Sequence, residues 1–192
     1  GAQDAFYARM NTSGSITYCT YFGGAGDEWG NDVVWSSLGR VVIVGATTST
    51  SGIAAGNIGQ TVHGGARDGF IASFLTTTGA REWASYIGGA NNDEVYGATS
   101  YTGSRILIAG YAGSTGLTTA GAWDTQQQGY SDMLIASFQH TGTRDWLSYH
   151  GGPDQDRAYD ITDVGPFAST DFCVVGSTDS QSGVATNPSH QS

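Results

Sequence analysis

The chain contains no lysine. Its seven basic residues are all arginine, set against 17 acids, and the formal net charge is −10. Such a surface repels a phosphate backbone and argues against nucleic acid as a partner. Long apolar runs are missing as well. None approaches the roughly 20 residues that a membrane-spanning helix needs, so no membrane insertion is expected. Helical periodicity is absent too, because no segment sustains an apolar 3.6-residue period over three turns. No serine sits in a Gly-x-Ser-x-Gly elbow, which leaves nucleophilic catalysis without an anchor. Cysteine is scarce. Cys19 and Cys173 lack metal-ligand spacing, and each lies in an apolar, strand-like stretch, ITYCTYF and DFCVVGS. They read as small core or half-buried side chains. His63, His140, His150 and His190 occupy unrelated places and suggest no metal triad.

What is abundant is glycine, 30 of 192 residues, together with serine, threonine and a repeated strand. DGFIASF opens at Asp68 and DMLIASF at Asp132, 64 residues later; DAFYARM opens at Asp4, 64 residues earlier. Each copy is followed by the same parts in the same order. A Gly turn comes first, at Gly14, Gly79 and Gly142. An aromatic strand follows: SITYCTYFGG, REWASYIGG and RDWLSYHGG. Then come an acidic loop, AGDEWGND, ANNDEVYG and PDQDRAYD, and a further strand, DVVWSS, YGATSY and YDITDV. An apolar strand, RVVIVGATT, RILIAGYAG and DFCVVGSTD, and a long polar segment close the unit. The repeat frames are 4–67, 68–131 and 132–192, with residues 1–3 completing the last, in a single repeat region over 1–192.

Period-2 patterning, β-branched and aromatic enrichment and Gly-bounded turns mark these segments as strands. They predict strands near 4–10, 15–22, 31–37, 40–47, 68–74, 81–87, 95–101, 105–111, 132–138, 144–150, 159–164 and 171–177. Four strands joined mostly by short turns make one antiparallel unit that cannot cover its own faces. Such units stack radially into a β-propeller, so the expected fold is all-β with four-stranded blades of about 64 residues. With the innermost strand called A, the Asp-led strand is C. The chain then starts on a C–D hairpin, runs through two full blades and ends on an A–B hairpin. Both ends are pairing templates, to be completed by further blades of a longer chain or by another copy docking head to tail.

The order of motifs resembles the bacterial seven-bladed β-propeller repeat family known as SBBP. The residues carrying the resemblance are Tyr21-Phe22-Gly23-Gly24 with Asp27, Tyr86-Ile87-Gly88-Gly89 with Asp93, and Tyr149-His150-Gly151-Gly152 with Asp156. The strand ends Gly45-Ala46-Thr47 and Gly176-Ser177-Thr178 and the stretch TTAGAWDT add to it. The long segments of the first and third units depart from the family's usual Pro-Gly-Ala-Tyr-like run. The resemblance implies a secreted or cell-surface bacterial protein, without established catalytic residues.

Strand alternation puts the long segments 49–67, 113–131 and 179–192 on the same face as the acidic loops, and that face is the expected binding surface. One reading of the acids is a Ca²⁺ site built from Asp27, Asp32, Asp93, Asp156 and Asp160, since hard cations take several carboxylate oxygens. The other is that Asp27, Asp93 and Asp156 accept backbone N–H groups in Gly-rich turns. No other cofactor is implied. Trp123 and Tyr130, in a long segment, and Trp29, beside the acids, are candidates for stacking on a sugar ring. Tyr18, Trp83 and Trp146 fall at equivalent positions and suit packing between units. The expected function is a non-enzymatic structural or adhesive module that contacts other protein chains. A carbohydrate-binding propeller is the alternative, with a glycoside hydrolase behind it.

Overall fold

The computed structural model describes residues 1–36, 38–101, 104–164 and 171–186. The last residue of the expected 31–37 strand, His190 and the end of the 179–192 segment lie outside the described residues. Among those residues the chain is all-β. Its strands are β1 (Ala5–Met10), β2 (Ile16–Phe22), β3 (Glu28–Ser36), β4 (Arg40–Thr47), β5 (Asp68–Leu75), β6 (Arg81–Ile87), β7 (Asp93–Tyr101), β8 (Arg105–Ala112), β9 (Asp132–Gln139), β10 (Arg144–His150), β11 (Asp156–Asp163) and β12 (Phe172–Thr178). No helix there is long and apolar enough to cross a membrane.

The strands form two four-stranded antiparallel sheets, β3-β4-β5-β6 and β7-β8-β9-β10, flanked by two-stranded sheets β1-β2 and β11-β12. The two full sheets share one register. Thr47 faces Asp68 as Ala112 faces Asp132, and Phe70 faces Tyr86 as Leu134 faces Tyr149. β3 and β4 pack on β7, and β7, β8 and β9 pack on β11, so consecutive sheets lie face to face. Val42, Val44, Ile71, Trp83, Leu134 and Phe138 belong to one core between the full sheets. Tyr7, Phe22, Phe70 and Phe74 lie in a second core under the β1–β2 hairpin, with the Phe22 and Phe70 rings 4.8 Å apart.

The expected strands are all present, but β3, β7 and β11 begin two or three residues early. Their first residues, Glu28, Asp93 and Asp156, belong to the acidic segments, yet they already pair with Thr47, Ala112 and Thr178. Each of these strands carries a bulge, between Gly30 and Asp32, Val95 and Gly97, and Ala158 and Asp160. A bulge reverses the in–out alternation and hides a strand start from a period-2 reading.

The cysteines differ from expectation. Both are free and exposed. Their register counterparts in the full sheets, Ala84 and Leu147 for Cys19 and Val42 and Leu107 for Cys173, are buried. The patterns are those of core strands; among the described residues no neighbouring strand or covering segment lies over them.

Phe138 is fully buried between the two full sheets. Phe138→Ala is expected to destabilise the fold by about 3–5 kcal/mol in denaturant titration. The exposed Phe6, changed in the same way, is expected to cost the isolated chain under about 1 kcal/mol.

Candidate functional site

The acidic segments build one corner three times. In the second, Asp93 Oδ2 accepts the Gly89 N–H at 2.8 Å and the Ser114 hydroxyl at 2.6 Å, while Oδ1 accepts the Ser114 N–H at 3.1 Å. In the third, Asp156 Oδ2 accepts the Gly152 N–H at 2.7 Å and the Ser180 hydroxyl at 2.9 Å. In the first, Glu28 Oε2 accepts the Gly24 N–H at 2.8 Å and Oε1 accepts the Ser49 hydroxyl. The acid stands four residues after the second glycine each time. The repeat position matching Asp93 and Asp156 is therefore Glu28 and not Asp27, and counting from the Gly-Gly pair finds it.

A second carboxylate closes the second and third corners. Asp68 Oδ2 accepts the Gly64 N–H at 2.9 Å, and Asp132 accepts the Gln128 and Gly129 N–H groups at 3.0 and 3.2 Å. Gly88 lies between the two acids: a Cβ there would stand 2.6 Å from Asp68 Cγ and 2.9 Å from Asp93 Oδ2. Gly151 repeats this with Asp132 and Asp156, at 2.7 and 2.8 Å. No side chain larger than hydrogen fits there. Asp68, Asp93, Asp132 and Asp156 are all buried.

Burial pushes the Asp93 carboxyl up to about 6, against the Ser114 and Gly89 hydrogen bonds that pull it down; the Asp68 carboxyl adds a smaller upward push. Asp132 is raised in the same direction, mainly by burial and further by Asp156 and Asp124.

The five acids considered as Ca²⁺ ligands are spread over these corners and the bulges. Asp27 accepts the Ala2 and Gln3 N–H groups at 2.8 and 3.1 Å. Asp32 accepts the Val33 N–H and, across the sheet interface, the Ala98 N–H at 2.8 Å. Asp160 accepts the Ile161 N–H at 2.8 Å. Among the described residues no three His, Cys, Asp or Glu side chains come together in a way that could hold a metal ion. A backbone N–H reaches each of these five carboxylates, while Asp156 Oδ1 is buried without a hydrogen-bond partner.

The long segments do not stand free. Residues 55–60 run beside β6, with Ala55 bonded to Ala84 in both directions and the Tyr86 N–H donating to the Gln60 carbonyl. The 113–131 segment treats β10 alike: the Thr119 N–H donates to the Leu147 carbonyl and the Tyr149 N–H to the Asp124 carbonyl. Both segments cover the outer edge of a full sheet, which accounts for their length.

Trp123 projects from the second segment, 91% exposed. It edges an apolar cavity of about 490 Å³ with Ile135, Trp146, Tyr149 and Phe172. Tyr130 is also exposed but does not line this cavity, and neither does Trp29, whose ring lies under the Arg67 guanidinium at 4.5 Å. The three aromatic candidates are thus not brought together. Ile135, Trp146 and Phe172 join Trp123 instead, and only the repeat position of Trp146 was visible beforehand.

No model of a known protein family matches this chain, and no curated protein matches it.

Asp93 supplies a direct check. Its folded value of about 6 lies above the ordinary 3.8, so the folded state holds the proton more tightly. Its contribution to stability is fully present below the unfolded value and is lost as pH rises through the folded one. Carboxyl-carbon NMR is expected to place its titration near pH 6. Ser114→Ala, which removes a hydrogen bond to the ionised form, is expected to move the titration higher; an unmoved midpoint would contradict the corner geometry.

Proposed function

We propose that this chain is a run of β-propeller blades of the seven-bladed repeat type, serving as a non-enzymatic structural or adhesive module of a secreted or cell-surface protein. The observation that carries the reading is the duplicated four-stranded sheet, with one register and one stacking mode used twice. An all-β unit that leaves both its faces apolar has stability only in a stack. The Lys-free, Ser/Thr/Gly-rich composition supports an extracellular setting. Partners are other protein chains or further blades, met through the surfaces that the stack leaves open. In this reading the buried carboxylates are scaffold parts, each engaged by backbone or side-chain donors, and the protein turns over no substrate.

One observation favours a second reading, a carbohydrate-binding propeller. Trp123 exposes nearly its whole ring beside an apolar cavity, a surface on which a sugar face can stack. An oligosaccharide array separates the two. The scaffold reading expects no saturable binding and no difference between wild type and Trp123→Ala. Saturable binding to a defined oligosaccharide, lost in Trp123→Ala, would replace it with the lectin reading.

A further inference from the structure

The two full sheets leave a cavity of about 710 Å³ between them. One wall is β6 with the segment 57–60 that covers it. The other is the start of β10 with the segment 116–119 that covers that strand. Both walls belong to the two full sheets and their own covering segments. The volume falls within the range of small-ligand sites, about 300–1,000 Å³. The lining is mixed: Ile58, Leu117 and Phe138 are apolar, and Asn57, Thr119 and Arg144 are polar. No Asp or Glu lines it, in a chain that carries 17 acids.

Arg144 stands apart from the other arginines. Arg40, Arg67 and Arg105 pair with Glu82, Glu94 and Asp145. Arg9 and Arg81 donate to backbone carbonyls, and Arg157 donates to the Gln155 side chain at 2.9 Å. Arg144 is half-buried, and its guanidinium has no hydrogen-bond or ion-pair partner among the described residues. Its repeat counterpart shows what is missing. Arg81 opens β6 as Arg144 opens β10, opposite Phe74 and Phe138 respectively. Arg81 donates to the Gly52 and Ile53 carbonyls at 3.0 and 3.1 Å and lies over the Phe22 ring. Beside β10 the turn is one residue shorter, Ser114-Thr115-Gly116-Leu117 against Ser49-Thr50-Ser51-Gly52-Ile53. Gly116 and Leu117 line the cavity without bonding to Arg144, and the counterpart of Phe22 is Ile87, which has no ring. A guanidinium keeps its charge at any physiological pH, and a charge held away from water is costly until it is paired. Burial pulls Arg144 below its ordinary value, and only the Tyr149 phenol opposes this.

We propose that this cavity binds an organic carboxylate, its carboxylate group paired with Arg144 and its apolar body set against Ile58, Leu117 and Phe138. The planar guanidinium fork matches a carboxylate with two parallel hydrogen bonds. One cation in a chain of net charge −10 suits a monoanion better than a phosphate dianion. Further donors stand nearby. The Thr119 hydroxyl accepts the Leu147 N–H at 3.1 Å and keeps its own proton to give, and the Asn57 amide has no partner among the described residues. The acids of the adjoining corner are screened from the site. Gln60, which lines the cavity, donates to Asp68 Oδ2 at 3.1 Å and accepts the Gly88 N–H at 3.1 Å, while Asp68 and Asp93 do not line it. The carboxylate can come from a free organic acid or from the carboxyl terminus of a peptide. The site goes beyond the scaffold reading and requires no turnover.

The test is a calorimetric titration of the 192-residue chain with phenylacetate and with N-acetylphenylalanine, each set against its amide. At least one acid is expected to saturate the protein at about 1 mM or below, and its amide is expected not to bind. Tighter phenylacetate assigns the source to a free organic acid; tighter N-acetylphenylalanine assigns it to a peptide carboxyl terminus. Arg144→Gln removes a charge that has no partner, so it is expected to keep the cooperative melt and to weaken the acid at least about tenfold. A second readout needs no variant. Phenylglyoxal modifies accessible guanidinium groups, and the bound acid is expected to slow its reaction at Arg144 and not at the exposed Arg9, read by peptide mass spectrometry. Trp123→Ala is expected to leave acid binding unchanged, since Trp123 does not line this cavity. Equal binding of acid and amide overturns the proposal. So does acid binding that survives Arg144→Gln or is lost in Trp123→Ala, and so does the absence of saturation by either acid with Arg144 unprotected. Each of these results leaves the scaffold reading standing, because that reading rests on the shared register and stacking of the sheets.

Discussion

The stack depends on the carboxylate corner. Edge strand β6 ends just before Gly88–Gly89, and the chain crosses at once to β7, the first strand of the next sheet. That crossing, and the entry to β5 beside it, leave half-buried backbone N–H groups without a ladder partner, and an N–H left wholly unmet in the interior costs about 1–3 kcal/mol. Asp93 meets the Gly89 N–H, and Asp68 meets those of Gly64 and Gly65. Since Asp68 opens β5 and Asp93 opens β7, one corner ties two sheets. Burial raises the Asp93 carboxyl and the neighbouring Asp68 adds a smaller push, so the rise at Asp93 is the cost of placing a carboxyl in the joint.

From that joint the rest follows in order. Fixing the start of β7 against the start of β5 sets the face-to-face offset of the sheets. The offset lays Ile71, Leu134 and Phe138 in one core. It also brings the aromatic side chains of β2 and β6 over the next Gly turn, Tyr18 on Gly79 and Trp83 on Gly142. The long segments then have one task, covering the outer strand's edge.

The strands and their order were legible because the 64-residue period repeats the apolar alternation, as in DGFIASF and DMLIASF. Register follows from that pattern wherever a face is buried. The starts of β3, β7 and β11 were not legible. A bulge breaks the alternation there, and acids that look like loop residues are strand residues bonded inward. Cys19 and Cys173 misled for a related reason: a core-strand pattern states what a position can bury, not whether the covering strand is present. The aromatic candidates divided along the same line. Trp123, Tyr130 and Trp29 are equally suggestive as residue types, but the Arg67 guanidinium that covers Trp29 and the Phe172 side chain that faces Trp146 come from distant parts of the chain.

The corner is tested most directly by giving Gly88 a side chain. Gly88→Ala places a methyl group between Asp68 Cγ and Asp93 Oδ2, at 2.6 and 2.9 Å, closer than real Cβ contacts come. An equilibrium denaturant titration is expected to show a loss of at least about 2 kcal/mol, the scale of forced overpacking, and the NMR signature of Asp93 is expected to change with it. Gly116→Ala has open space around it and serves as the comparison for backbone cost alone, since its φ of +76° makes alanine unfavourable there by its own strain. If Gly88→Ala costs no more than Gly116→Ala and leaves the Asp93 titration in place, the carboxylate corner does not hold the stack together.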